Sequence, residues 1–112
     1  MTKAHSAMGL VYTTWPDHAS VEAAAKALLN ERLIACANIL GASTSIYRWQ
    51  EKVETANEII ALFKTSVRQL NALRDRIGEL HPYDEPAIIS LNVDAEGSSA
   101  AFLAWVEEEC AP

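Results

Sequence analysis

The residues of this chain best suited to chemistry sit together at His81-Pro82-Tyr83-Asp84-Glu85-Pro86. An imidazole, a phenol and two carboxylates fall within one short segment that also holds two prolines. The prolines stiffen the segment and aim its side chains. Imidazole beside carboxylates is a donor set for a divalent cation such as copper or zinc, with His81, Asp84 and Glu85 as the ligands. The same residues would also serve as a helix-to-strand connection whose polar groups satisfy their own turn. Both uses stay open at this level.

Other candidates are single residues. Lys64 is the one cation in the apolar run Glu58–Thr65. It suits either an edge lysine that discourages aggregation or an anion-binding group at a sheet end. Trp49 suits an interface or core anchor, or a platform for a ligand. Cys36, between two alanines, fits a small buried hydrophobe. No phosphate-binding loop, nucleophile elbow or H-E-x-x-H helix is present. No nucleophile–base pair is legible, so no catalytic residue and no enzymatic activity are expected.

Periodicity supplies the elements that must position these groups. Met8–Thr14 is short, apolar and β-rich, and Asp17 is placed to cap a following helix. Val21, Ala25, Leu28, Leu29 and Arg32 recur at helical spacing. Leu33–Ile39 alternates as a strand, Gly41 bends or bulges it, and Thr44–Trp49 continues it. The polar stretch Gln50–Asn57 is expected to hold a hairpin turn, with Glu58–Thr65 returning as a strand. Ser66 is expected to cap a second helix carrying Val67, Leu70, Leu73, Ile77 and Leu80, which Pro82 ends. Ala87–Val93 reads as a strand with Ile89, Leu91 and Val93 on one face, and Ser98 or Ser99 caps a last short helix.

The order β-α-β-β-α-β plus a terminal helix predicts an α+β, ferredoxin-like fold. Its four-stranded antiparallel sheet has helices on one face and a long hairpin between the second and third strands. Neither face of that hairpin is fully polar, and a second copy of the chain is the economical cover for it. The expected organisation is one domain over residues 1–112, with residues 1–8 as a flexible extension.

Composition narrows the function. The chain has 112 residues, a net charge of −6 and 50% hydrophobic residues. Acidity of this size repels phosphate backbones, so nucleic acid is not expected as a partner. No stretch approaches the 20 or so apolar residues of a membrane span. Met1–Gly9 has one Lys and no apolar core, so no secretory leader is expected. Two cysteines, Cys36 and Cys110, fit a reducing compartment, and a cytoplasmic location is expected.

Five stretches together resemble the CutA-type divalent-cation tolerance proteins, over roughly Gly9–Glu108. They are Val11-Tyr12-Thr13-Thr14 with Pro16-Asp17; Glu31–Ile39; Ser45-Ile46-Tyr47-Arg48-Trp49 with Lys52; Lys64-Thr65; and His81-Pro82-Tyr83 with Pro86. The resemblance implies a ferredoxin-like subunit, a homotrimer in which long hairpins pair between subunits, no enzymatic activity, and a link to copper and other divalent cations. It also implies departures. A proposed copper site of some members uses a first-strand cysteine and paired histidines, where this chain has Thr13, Leu80 and a lone His81. A glycine usual before the lysine matched by Lys52 is Glu51 here, and a glutamate usual after Pro86 is Ala87.

The expectation on these grounds is a cytoplasmic homotrimer that takes part in divalent-cation tolerance. Weak copper or zinc binding is expected near His81, in a cleft lined by Lys64, Tyr83 and Trp49. One alternative is a sensor resembling the trimeric PII-type signalling proteins, holding a small anion through Lys64 and Arg48. Another is an interaction scaffold with no ligand.

Overall fold

The computed structural model describes residues 5–111. Its elements are β1 (His5–Trp15), α1 (His18–Asn30), β2 (Cys36–Trp49), β3 (Lys52–Ser66), a 3₁₀ turn (Val67–Gln69), α2 (Leu70–Leu80), β4 (Ile88–Asp94) and α3 (Ala100–Glu109). The strands form one antiparallel sheet in the order β2-β3-β1-β4, the ferredoxin-like arrangement. Of the extension expected over residues 1–8, residues 1–4 lie outside the described residues. Residues 5–8 belong to β1, with Met8 opposite Ser66 on β3.

The core lies between α1, α2 and one sheet face. Val11 and Trp15 of β1 and Ala61 and Phe63 of β3 meet Val21, Ala25 and Leu28 of α1 and Leu73 and Ile77 of α2. Trp15 and Phe63 pack edge to face, with centroids 6.3 Å apart. Each large side chain buried here contributes about 1.5–3 kcal/mol.

Helix ends follow local chemistry. Asp17 accepts the Ser20 amide at 2.7 Å and caps α1. At the other end, Leu33 N–H donates to Leu28 O and Arg32 N–H to Leu29 O, with Arg32 left-handed at φ 59°. Ser99 caps α3 through the Phe102 amide. Ser66 does not cap α2: it is extended, the 3₁₀ turn intervenes, and its buried Oγ has no hydrogen-bond partner among the described residues.

The hairpin departs most from the expected boundaries. Lys52–Asn57 is strand rather than turn, and Trp49 pairs directly with Lys52 across Gln50 and Glu51. The stretch is polar because this half of the hairpin projects past the core, so burial imposes no apolar alternation on it. The radius of gyration, 15.0 Å, exceeds the about 13 Å of a compact chain this long for the same reason. The register shift between Ile39 and Ala42 bears out the irregularity expected at Gly41.

The sheet face away from α1 and α2 is apolar and largely uncovered. Leu10 stands opposite Leu91, and Tyr12 lies between Leu62 and Ile89. Ile89 and Leu91 are 50% and 44% exposed. α3 touches β1 and β3, and Phe102 sits under the Lys64 ammonium, 5.2 Å from the ring centroid.

Gln50 and Glu51 hold φ of 48° and 66°, both left-handed, as a two-residue type I′ turn requires. A side chain there costs about 1–2 kcal/mol. Glu51→Gly relieves that cost and gives back part of it as backbone entropy. The expected result is a gain of about 0.5–1 kcal/mol in denaturant unfolding at fixed protein concentration. An unchanged or lower midpoint would show that the turn is not strained.

Candidate functional site

The ring of His81 is buried against the sheet's end. It stacks on Trp15 with centroids 4.1 Å apart and leans on Tyr83 at 4.8 Å. Its Nε2 lies 2.8 Å from Thr14 O, and a carbonyl only accepts, so Nε2 carries the proton. Its Nδ1 accepts the Tyr83 amide at 3.1 Å. The ring is therefore the neutral Nε2–H tautomer, with both nitrogens engaged. Burial holds its pKa below the ordinary 6.5, against the opposing pull of Thr14 O and the Glu58 charge.

Thr13 is fully buried beneath this stack. It accepts the Trp15 indole N–H at 2.7 Å and donates to Ala61 O at 3.0 Å. The hydroxyl that stands where the resemblance implies a thiol ligand is thus spent on the core. The residue matching the first paired histidine is Leu80, which packs against the core. The implied copper donor set does not fit these residues. Nor are His81, Asp84 and Glu85 gathered as a ligand set: among the described residues no group of three or more His, Cys, Asp or Glu is arranged to hold a metal ion.

Beside this stack lies a groove of about 800 Å³, between the hairpin and the loop joining α2 to β4. The hairpin wall carries Tyr47, Trp49, Glu54 and Glu58. The loop wall carries Tyr83, Asp84 and Glu85. Tyr83 Oη donates to Glu58 Oε2 at 3.1 Å and ties the walls together. Burial, and then Glu58, push the Tyr83 phenol above its usual pKa. No lysine or arginine is among the lining residues, so four carboxylates set a negative field there.

Trp49, Tyr83, Asp84 and Glu85 therefore meet in one groove, as sequence reasoning groups them. Lys64 and Arg48 do not join them. Lys64 lies over Phe102, and β3 is an inner strand, so the edge-lysine use is overturned. Arg48 pairs with Val53 and alternates away from Tyr47 and Trp49. Tyr47, Glu54 and Glu58 are groove residues that the sequence reading missed. The signal for them is two-residue spacing on facing strands, usable only once the turn is placed at Gln50-Glu51.

Comparison with known proteins gives a family. The family model described as CutA1 divalent ion tolerance protein matches residues 9–109. A "Divalent-cation tolerance protein CutA" of Pyrococcus horikoshii is 47% identical over 102 residues, covering 91% of this chain and 97% of the relative. "Protein CutA" of Homo sapiens is 33% identical over 97 residues, covering 87% of this chain and 53% of the relative. The crystal structure of CutA from Xylella fastidiosa is 38% identical, with a TM-score of 0.89 over 95% of this chain and 100% of that one.

Two outcomes test the stack. The unfolded chain binds the His81 proton first, so the ring's contribution to stability is present above about 6.5 and is lost as pH falls through its depressed native value. Unfolding free energy should fall between pH 7 and pH 5, and His81→Gln should flatten that part of the profile. An identical slope in the variant would refute the assignment. Thr13→Val should cost about 1–3 kcal/mol, because the buried indole N–H loses its acceptor. A neutral substitution would show that the bond is dispensable.

Proposed function

The chain belongs to the CutA1 divalent ion tolerance family, and on that footing we propose that it acts in divalent-cation tolerance as a cytoplasmic, non-enzymatic homotrimer. The match of the family model across residues 9–109 carries this reading. Two features of the fold support the assembly. The outer sheet face carries Tyr12, Leu62, Ile89 and Leu91, and Ile89 and Leu91 are exposed on it. The hairpin projects past the core, where a second copy can pair with it. No helix among the described residues is long and apolar enough to cross a membrane. Cys36 and Cys110 are both free thiols, which supports a reducing compartment.

Cation binding, on this reading, is weak and sits in the groove. The His81 nitrogens are engaged, so the available donors are the groove carboxylates Glu54, Glu58, Asp84 and Glu85. Separated carboxylates suit a partly hydrated ion held by charge. The anion-sensor alternative loses support, since Lys64 and Arg48 stand apart and the groove is acidic. The ligand-free scaffold keeps the trimer and loses the binding.

Light scattering and calorimetric titration test both halves. The expected mass is three times the 12.3 kDa chain, and Leu91→Asp should lower it. Copper(II) or zinc(II) should bind saturably and more weakly in the combined Glu58→Gln and Asp84→Asn variant. Binding unchanged in that variant and lost in His81→Gln would return the site to the imidazole. A monomer would refute the assembly, and no saturable heat would leave the scaffold.

A further inference from the structure

We infer that the projecting hairpin joins copies of this chain head to tail. The hairpin face that carries Ile46, Arg48 and Val53 docks on the aromatic, acidic groove of the next copy, and Arg48 supplies the cation that this groove lacks. The inference rests on the homotrimer reading and names the two surfaces that make the contact.

The two faces of the ribbon differ in kind. Tyr47, Trp49, Glu54 and Glu58 line the groove. Pleat alternation puts Thr44, Ile46, Arg48, Val53, Thr55 and Asn57 on the other face, with Arg48 across from Val53 and Ile46 across from Thr55. All six are exposed. None is a carboxylate, in a chain of net charge −6. Ile46 and Val53 are diagonal neighbours across the ribbon and are 70% and 67% exposed, above the other large hydrophobic residues described. A ribbon solvated on both faces gains nothing from such a pair, whereas a docking face does.

The faces also complement each other. The groove is lined by four carboxylates and by no lysine or arginine. Arg48 has no ion-pair partner among the described residues and alternates away from its own copy's groove. A guanidinium stacks flat on a tyrosine or tryptophan ring and pairs with a carboxylate at its edge. Tyr47 and Trp49 with Glu54, directly across from Tyr47, offer that combination. Seating Arg48 at Glu54 leaves Glu58, Asp84 and Glu85 to a cation.

Charge decides the arrangement. Two outer faces set together would bring arginine near arginine, and two grooves set together would oppose carboxylates. One outer face on one groove matches charge at every contact. A contact between unlike faces of identical chains is heterologous, and it closes into a ring when the rotation per copy allows. A ring of three is the homotrimer.

Subunit exchange tests the contact. Two pools of the intact protein carry donor and acceptor dyes on the α-amino group, and energy transfer is followed after mixing, beside light scattering for mass. Arg48→Glu and Glu54→Arg should each speed exchange at least about tenfold. The chain carrying both changes should return towards the wild-type rate. The two positions lie on opposite faces of one hairpin, so this rescue reads a contact between copies. Ile46→Thr with Val53→Thr should speed exchange without changing charge. Glu22→Gln, on the exposed side of α1, should leave it unchanged, which separates the contact from the general field of an acidic protein. All these positions are exposed, and an unchanged far-ultraviolet circular dichroism spectrum confirms that each variant folds. A wild-type trimer whose exchange is indifferent to the hairpin variants overturns the inference and leaves the homotrimer reading standing. So does a double variant that exchanges as fast as the single ones. A wild-type monomer overturns both.

Discussion

The contact on which this site depends is the stack of His81 on Trp15. Trp15 is the last residue of β1 and is wholly buried, with its indole N–H held by Thr13 and its ring edge against Phe63. It is therefore a fixed plate at the end of the sheet. His81 lies flat on that plate and bonds at one nitrogen to Thr14 and at the other to the Tyr83 amide. The helix-to-strand loop is thus pinned to β1 at its first residue. Tyr83 then reaches Glu58 and fixes the loop's distance from the hairpin. The groove is what lies between the two. A histidine that the sequence leaves open between ligand and turn residue pins the loop to the sheet, and its neutrality follows from that position.

The second constraint is the sheet's asymmetry. α1 and α2 cover one face and leave the other with Tyr12, Leu62, Ile89 and Leu91. α3 leans over the end of that face where Lys64 meets Phe102. An uncovered apolar face and a projecting hairpin are each costly in a lone subunit. A shared subunit interface would relieve both costs, which supports the proposed assembly.

Much of the fold was legible because burial and capping write themselves locally. Asp17 names the start of α1, Pro82 the end of α2, and alternating Ile89 and Leu91 the outward face of β4. Thr44–Trp49 reads correctly as strand, but the far end of the hairpin, where Lys52–Asn57 is strand, was not legible. Exposed on both faces, Lys52–Asn57 carries no apolar rhythm, and Gln50-Glu51 lacks the glycine that marks a type I′ turn. Ser66 misled for a different reason: a serine before a helical pattern reads as a cap, yet here it ends a strand and its hydroxyl is orphaned. In the groove, Asp84 and Glu85 were visible as neighbours in sequence. Glu54 and Glu58 become their partners only through the register of β2 with β3.

That register also explains why the groove differs from the site the resemblance implies. A point ligand set needs free donors at positions 13, 80 and 81, and here the Thr13 hydroxyl and His81 nitrogens are already bonded while Leu80 carries no donor. The hydroxyl holds an indole, the leucine packs on the core, and the imidazole holds a loop. The negative charge sits in the groove instead, with Glu54 and Glu58 on the hairpin wall and Asp84 and Glu85 on the loop wall. The core of this chain occupies the positions where the resemblance implies metal ligands, and the carboxylates stand apart from them, in the groove between hairpin and loop.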